Sequence, residues 1–123
     1  MKLRQSERSE QADTAHGSLN GATSVEIVGE PPAGFTRRIE CVRFVNKDSA
    51  AVTIRLRKTV AGPTHYECDN VVALAVDGKF FPVEVDSVVR LIAGESLTAV
   101  MSGAAATLDP TWISSWVDVP VTV

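Results

Sequence analysis

"AAVTIRLRKT", residues Ala50 to Thr59, decides the fold class. Val52, Ile54 and Leu56 alternate with Thr53, Arg55 and Arg57, so a two-residue period sorts apolar side chains to one side and polar ones to the other. An extended strand with one dry face and one wet face fits this pattern. A helix does not, because positions i and i+2 fall on opposite sides of it.

Working outward, "TRRIECVRFVN" (36–46) is also rich in strand formers, but its phase changes: Ile39 and Cys41 point one way, Val42 and Phe44 the other. A bulge, or a strand covered on both sides, accounts for the change. "NKDSA" (46–50) supplies the turn residues of a hairpin between the two runs. "SVEIVG" (24–29) reads as a strand before the turn "EPPAG" (30–34), and "YECDNVVALAV" (66–76) as a strand ending at Asp77-Gly78. In "KFFPVEVDSVVRLI" (79–92) Val83 and Val85 alternate with Glu84 and Asp86. In "AGESLTAVMSG" (93–103) Leu97, Ala99 and Met101 share a face. Nowhere do apolar residues hold the i, i+3, i+4, i+7 spacing of an amphipathic helix. Short β-runs about ten residues apart predict an all-β chain, an antiparallel β-sandwich or jelly-roll-like fold of roughly seven to eight strands.

The chain closes with "TWISSWVDVPVTV" (111–123). Ile113, Val117 and Val119 lie on one face and Trp112, Trp116 and Asp118 on the other, so both faces have a claim to the core. With the aliphatics inward, the indoles bury area against a partner chain or stack on a sugar, with Ser114 and Asp118 beside them. With the indoles inward, Ile113 and Val117 face out. In a third arrangement one Trp caps the core and the other packs beneath a loop such as "SGAAATLD" (102–109). Pro120 lacks a ladder donor and so suits an edge strand. Val119, Val121 and Val123 continue the alternation without a lysine, leaving a margin open to another chain.

Length and composition limit the rest. The chain has 123 residues, 45% hydrophobic and 22% charged, enough for one modest core between residues 25 and 123. Residues 1–24 hold few large aliphatics, Leu3 and Leu19 after Met1, among many charges; they are expected to form an extended polar arm. The arm has no apolar h-region, which points to folding in a reducing cytoplasm. Cys41 and Cys68 then read as buried thiols, a bridge between them being the alternative. No run reaches the roughly 18 apolar residues of a membrane span, so no membrane partner is expected. A formal charge of −3, with no basic cluster interleaved with aromatics, speaks against nucleic acid.

Chemical constellations are weak. "GESLT" (94–98) lacks the final glycine of a nucleophile elbow and reads as a β-turn. His65, Glu67 and Asp69 would share a strand face, but nothing of zinc-like spacing completes a tetrahedral site, so no metal or other cofactor is expected. Glu84 and Asp86 look like the wet face of a strand rather than the cleft pair, about 5–9.5 Å apart, of a glycosidase. Arg38, Arg43, Arg55 and Arg57 could form a basic ladder, but pairing with acidic neighbours is the simpler arrangement. No nucleophile–base or acid–base set assembles, and no enzyme is expected.

"EPPAGFTRRIECVRFVNKDSAAVTIRLRKT", "LIAGESLTAVMSG" and "WISSWVDV" together resemble small β-sandwich virion proteins of tailed bacteriophages, over about Val25 to Val119. The resemblance rests on a Pro/Ala/Gly opening, a long strand, a polar turn and an L-x-x-G-E-x-L turn before the last strands. It implies a structural protein within the virion, assembled in the host cytoplasm. That protein would decorate or cement the capsid through contacts with the major capsid protein or other virion proteins, as a homo-oligomer within the assembly. A place in the neck or tail, or a carbohydrate-binding adhesion module using Trp112 and Trp116, is the alternative. The residues expected to meet partners are Leu3, Arg4, Arg8 and Leu19 of the arm, Trp112 and Trp116, and the margin residues Val119, Val121 and Val123.

Overall fold

The computed structural model describes residues 10–60, 65–83 and 89–121. Nine strand segments occur in them: β1 (Gln11–Ser18), β2 (Val25–Val28), β3 (Phe35–Val45), β4 (Val52–Val60), β5 (His65–Leu74), β6 (Lys79–Val83), β7 (Val89–Leu91), β8 (Ser96–Met101) and β9 (Thr111–Pro120). No helix is present among the described residues, in keeping with the two-residue periodicity.

Two antiparallel sheets face each other. The first runs β1-β9-β3-β6, with β7 also on β3; the second runs β2-β8-β4-β5. β6 pairs with Val42–Val45 and β7 with Arg37–Ile39, so the two segments form one margin. Counted so, each sheet has four strands among the described residues, and of these only β4 and β5 are both consecutive in sequence and paired. All other connections cross from sheet to sheet, giving the double Greek-key winding of a jelly roll.

The expected β3–β4 hairpin is therefore corrected. The two strands belong to opposite sheets, and residues 46–51 arch over the core between them. Asn46 fixes the arch: its Nδ2 donates to the carbonyls of Ala50, Leu74 and Ala75 at 3.0–3.1 Å, and its Oδ1 accepts the Asp48 N–H at 2.8 Å. The phase change in β3 is a bulge. Ile39 pairs with Trp116 and Cys41 with Ser115, leaving Glu40 as the extra residue, so that Ile39, Val42 and Phe44 all face inward.

In the core, Val52, Ile54 and Leu56 of β4 and Leu97, Ala99 and Met101 of β8 meet Ile39, Val42 and Phe44 of β3. Burying a large side chain of this kind contributes about 1.5–3 kcal/mol. On β9 the question of faces is answered: Trp112 and Trp116 point inward, 9% and 8% exposed, while Ile113 faces out at 38%. Gly17, opposite Trp112 in the ladder, makes room for the indole, since a Cβ there would lie 3.0 Å from the ring. Ser114, also inward, donates from Oγ to the Ile27 carbonyl at 2.8 Å and ties the first sheet to the second.

Two further expectations are corrected. β9 is not an edge strand but lies between β1 and β3. Its proline is tolerated because even-numbered residues of β9 face β1, and the β1 ladder ends at Gln11–Asp118, before Pro120. Nor is the arm polar and extended to Ser24. Residues 11–18 form β1, and Leu19 lies in the core at 2% exposure, because the second half of the arm completes a ladder that β9 would otherwise leave open.

Candidate interaction margin

Among the described residues, β1 is the outermost strand of the first sheet and pairs only with β9. Hydrogen-bond direction alternates along an antiparallel strand, so its parity can be read from its ends. The Leu19 N–H donates to the Pro110 carbonyl at 2.9 Å, which puts odd-numbered residues on the β9 side. Ala12, Thr14, His16 and Ser18 thus turn their backbone N–H and C=O groups outward. All four are exposed. One of these donors is engaged locally: Asp13 Oδ1 accepts the Thr14 N–H at 2.8 Å.

The margin is acidic. Glu10 and Asp13 on the β1 side and Glu26 and Glu30 at β2, the outer strand of the second sheet, are all exposed. Glu30 Oε2 accepts the Gly94 N–H at 2.8 Å. Of the nearby cations, Arg38 pairs with Glu40 at 2.9 Å and more loosely with Glu10 at 3.6 Å. The Glu40 carboxylate, by hydrogen bond and by charge, raises the Arg38 pKa above its ordinary value.

Arg37 turns the other way, into the sandwich. It grips Asp118 through Nε–Oδ1 at 2.8 Å and Nη2–Oδ2 at 3.1 Å, and Nη1 donates to the Gly29 carbonyl at 3.0 Å. The guanidinium carbon stands 4.6 Å from the Trp116 ring centroid, a cation–π contact. At the pole that carries the β3–β4 arch, Asp48 gathers the N–H groups of Ala106, Thr107 and Leu108 and the Thr107 hydroxyl. These bonds, led by that from Ala106, hold its carboxyl well below the usual range. Lys58 and Glu95 pair at 3.2 Å, and Glu95 also accepts the Ile92 N–H. Each of these carboxylates serves a strand or a loop.

Among the described residues, no three His, Cys, Asp or Glu side chains come together as metal ligands. The side chains of His65, Glu67 and Asp69 and the pair Glu84 and Asp86 lie outside the described part. "GESLT" is a turn as expected: Gly94 has φ 84°, and the Glu95 N–H bonds the Ile92 carbonyl. Cys41 is a free thiol, half-buried rather than buried, while Cys68 lies on β5 in the other sheet.

Of the residues expected to meet partners, Leu3, Arg4, Arg8 and Val123 lie outside the described part. Leu19, Trp112 and Trp116 are excluded as contact residues, since the core of their own chain covers them. A sugar has no indole platform to stack on. Val119 is half-buried and pairs with Thr36; Val121 is 49% exposed, its N–H held by the Gly34 carbonyl. Sequence reasoning missed β1 itself. Its signal was faint: small and polar residues, with Gly17 opposite Trp112 the one constrained position.

No family model matches the chain, and no curated protein sequence matches it. Among solved structures, a subunit from work described as "Bacillus endospore appendages form a novel family of disulfide-linked pili" matches with a TM-score of 0.53. The match covers 92% of this chain and 88% of that one at 7% identity, a likeness of fold alone.

Proposed function

We propose that the chain is a non-enzymatic structural subunit that works in many copies, joined to its neighbours along β1. One observation carries this reading: an eight-residue edge strand with four residues directing their backbone groups outward, bordered by charge rather than closed by another strand among the described residues. Such an edge is a template for strand addition. The resemblance to phage virion sandwiches and the likeness of fold to a pilus subunit support it, because both concern proteins repeated through an assembly. In the finer reading the assembly is a virion and the chain decorates or cements its capsid. Weak single contacts suffice there, since symmetric neighbours raise the effective concentration.

Light scattering and electron microscopy of the purified chain over a wide concentration range test the reading, together with binding to purified particles. Higher oligomers or bound particles are expected, and both should vanish in Ala12→Pro/His16→Pro, which removes outward donors only. A chain that stays monomeric at millimolar concentration and ignores particles refutes it.

A further inference from the structure

The second half of the expected arm is strand and core, which leaves residues 1–9 to be assigned. Their sequence, "MKLRQSERS", carries Lys2, Arg4 and Arg8 against Glu7, a charge of +2. The whole chain carries −3, so residues 10–123 carry −5. A basic peptide thus precedes an acidic body, and β1 and β2 present the exposed carboxylates Glu10, Asp13, Glu26 and Glu30 along one side. We infer that residues 1–9 of one copy add as a strand to the β1 margin of a second copy, with Lys2, Arg4 and Arg8 against those carboxylates. This inference rests on the reading of the chain as a multi-copy subunit.

One argument favours a second copy over the chain's own margin, and two more fit the peptide to that margin in any copy. The peptide joins the body at Glu10, at the pole where β1 begins, so lying on its own β1 would require a tight reversal near residues 8–11. "SERSEQ" (6–11) contains no Gly, Asn or Asp to take the positive φ of a tight hairpin turn. Reach also fits: nine extended residues span about 30 Å, against about 26 Å for the eight residues of β1. Finally, Asp13 occupies the Thr14 N–H in the free chain, which blunts the margin towards uncharged strands. An incoming arginine can draw that carboxylate away and free the donor. The margin thereby favours a basic strand over a neutral one.

Cross-linking tests this in the full chain with Cys41→Ser and Cys68→Ser as background. One sample carries only Ser6→Cys and the other only Thr14→Cys; they are mixed under mild oxidation. A disulfide between the two chains is expected, formed less readily as salt rises. Charge reversal by Lys2→Glu, Arg4→Glu and Arg8→Glu should weaken association at least about tenfold while leaving the Tm of the body unchanged. Oligomers that form without this cross-link and survive charge reversal overturn the inference but leave the multi-copy reading standing. A Ser6→Cys/Thr14→Cys chain that closes on itself as a monomer overturns the inference in favour of self-docking. A chain monomeric under every condition overturns both.

Discussion

Replacing Arg37 by Met should cost this fold more than any other single polar change on the first sheet. The guanidinium makes two charge-assisted hydrogen bonds to Asp118 and one to the Gly29 carbonyl, and it covers the Trp116 ring. Its side chain is 12% exposed and that of Asp118 9%, so water cannot take over the lost bonds. Met keeps much of the packing but leaves a carboxylate buried without its counter-ion. Breaking one partner of a buried pair costs about 3–5 kcal/mol, a large share of the 5–15 kcal/mol that typically holds a domain together. At this chain length that is a Tm drop on the order of 10–20 °C. Asp118→Leu should be less harmful than Arg37→Met, because the remaining arginine is long enough to reach solvent. The double variant should recover part of the loss, with a coupling of about 2 kcal/mol. Urea unfolding of the four proteins at pH 7 measures every term. If Arg37→Met costs under about 1 kcal/mol, or if the two changes simply add, the pair is not the clasp described here.

Gly17→Val should lower stability by about 1–3 kcal/mol, because its side chain must displace the Trp112 ring that already stands 3.0 Å from a Cβ position; tryptophan fluorescence should shift with it. Ala15→Pro removes a donor bonded to β9, whereas Ala12→Pro removes one that points away, so thermal unfolding should show a clear loss for the first and little change for the second. Ser114→Ala leaves the Ile27 carbonyl without its cross-sheet donor and should cost about 1 kcal/mol in chemical denaturation. Asp48 has a folded pKa held below its ordinary value. Its contribution is therefore complete at neutral pH and is lost as pH falls below about 4. Asp48→Ala should be less stable than the parent at pH 7, and the two unfolding curves should converge as acid is added.

The strands that face one wet and one dry side were legible residue by residue, because alternation at β4 and β8 leaves no other reading. The β3 bulge was legible as a phase error. Pairing was not legible, since the sequence says which face of a strand is dry and nothing about which strand lies beside it. "NKDSA" has hairpin composition, yet Asn46 and Asp48 use their side chains to hold distant loops, and the chain crosses the core there instead of doubling back. β9 carries a proline and a row of valines, the marks of an edge, but its proline falls where no partner donor is needed. β1 was hidden because an edge strand needs few apolar side chains of its own when a neighbour as large as Trp112 fills the space beneath it. The sequence pattern places an open strand margin at β9, which lies between β1 and β3, whereas the outermost described strand of that sheet is β1 at the other end of the chain.

The surplus residue at position 40 has a consequence for how the gene can change. Omitting Glu40, the pairs Ile39–Trp116, Cys41–Ser115 and Val42–Ser114 already form an uninterrupted series. Loss of that one codon would straighten the strand against β9 and keep every inward residue inward, at the expense of the bonds to Arg38. Loss of a codon at Val42 or Arg43 would instead turn part of the strand inside out, sending phenylalanine to solvent or arginine to the interior. Along this stretch, natural length variation should therefore collect at a single position.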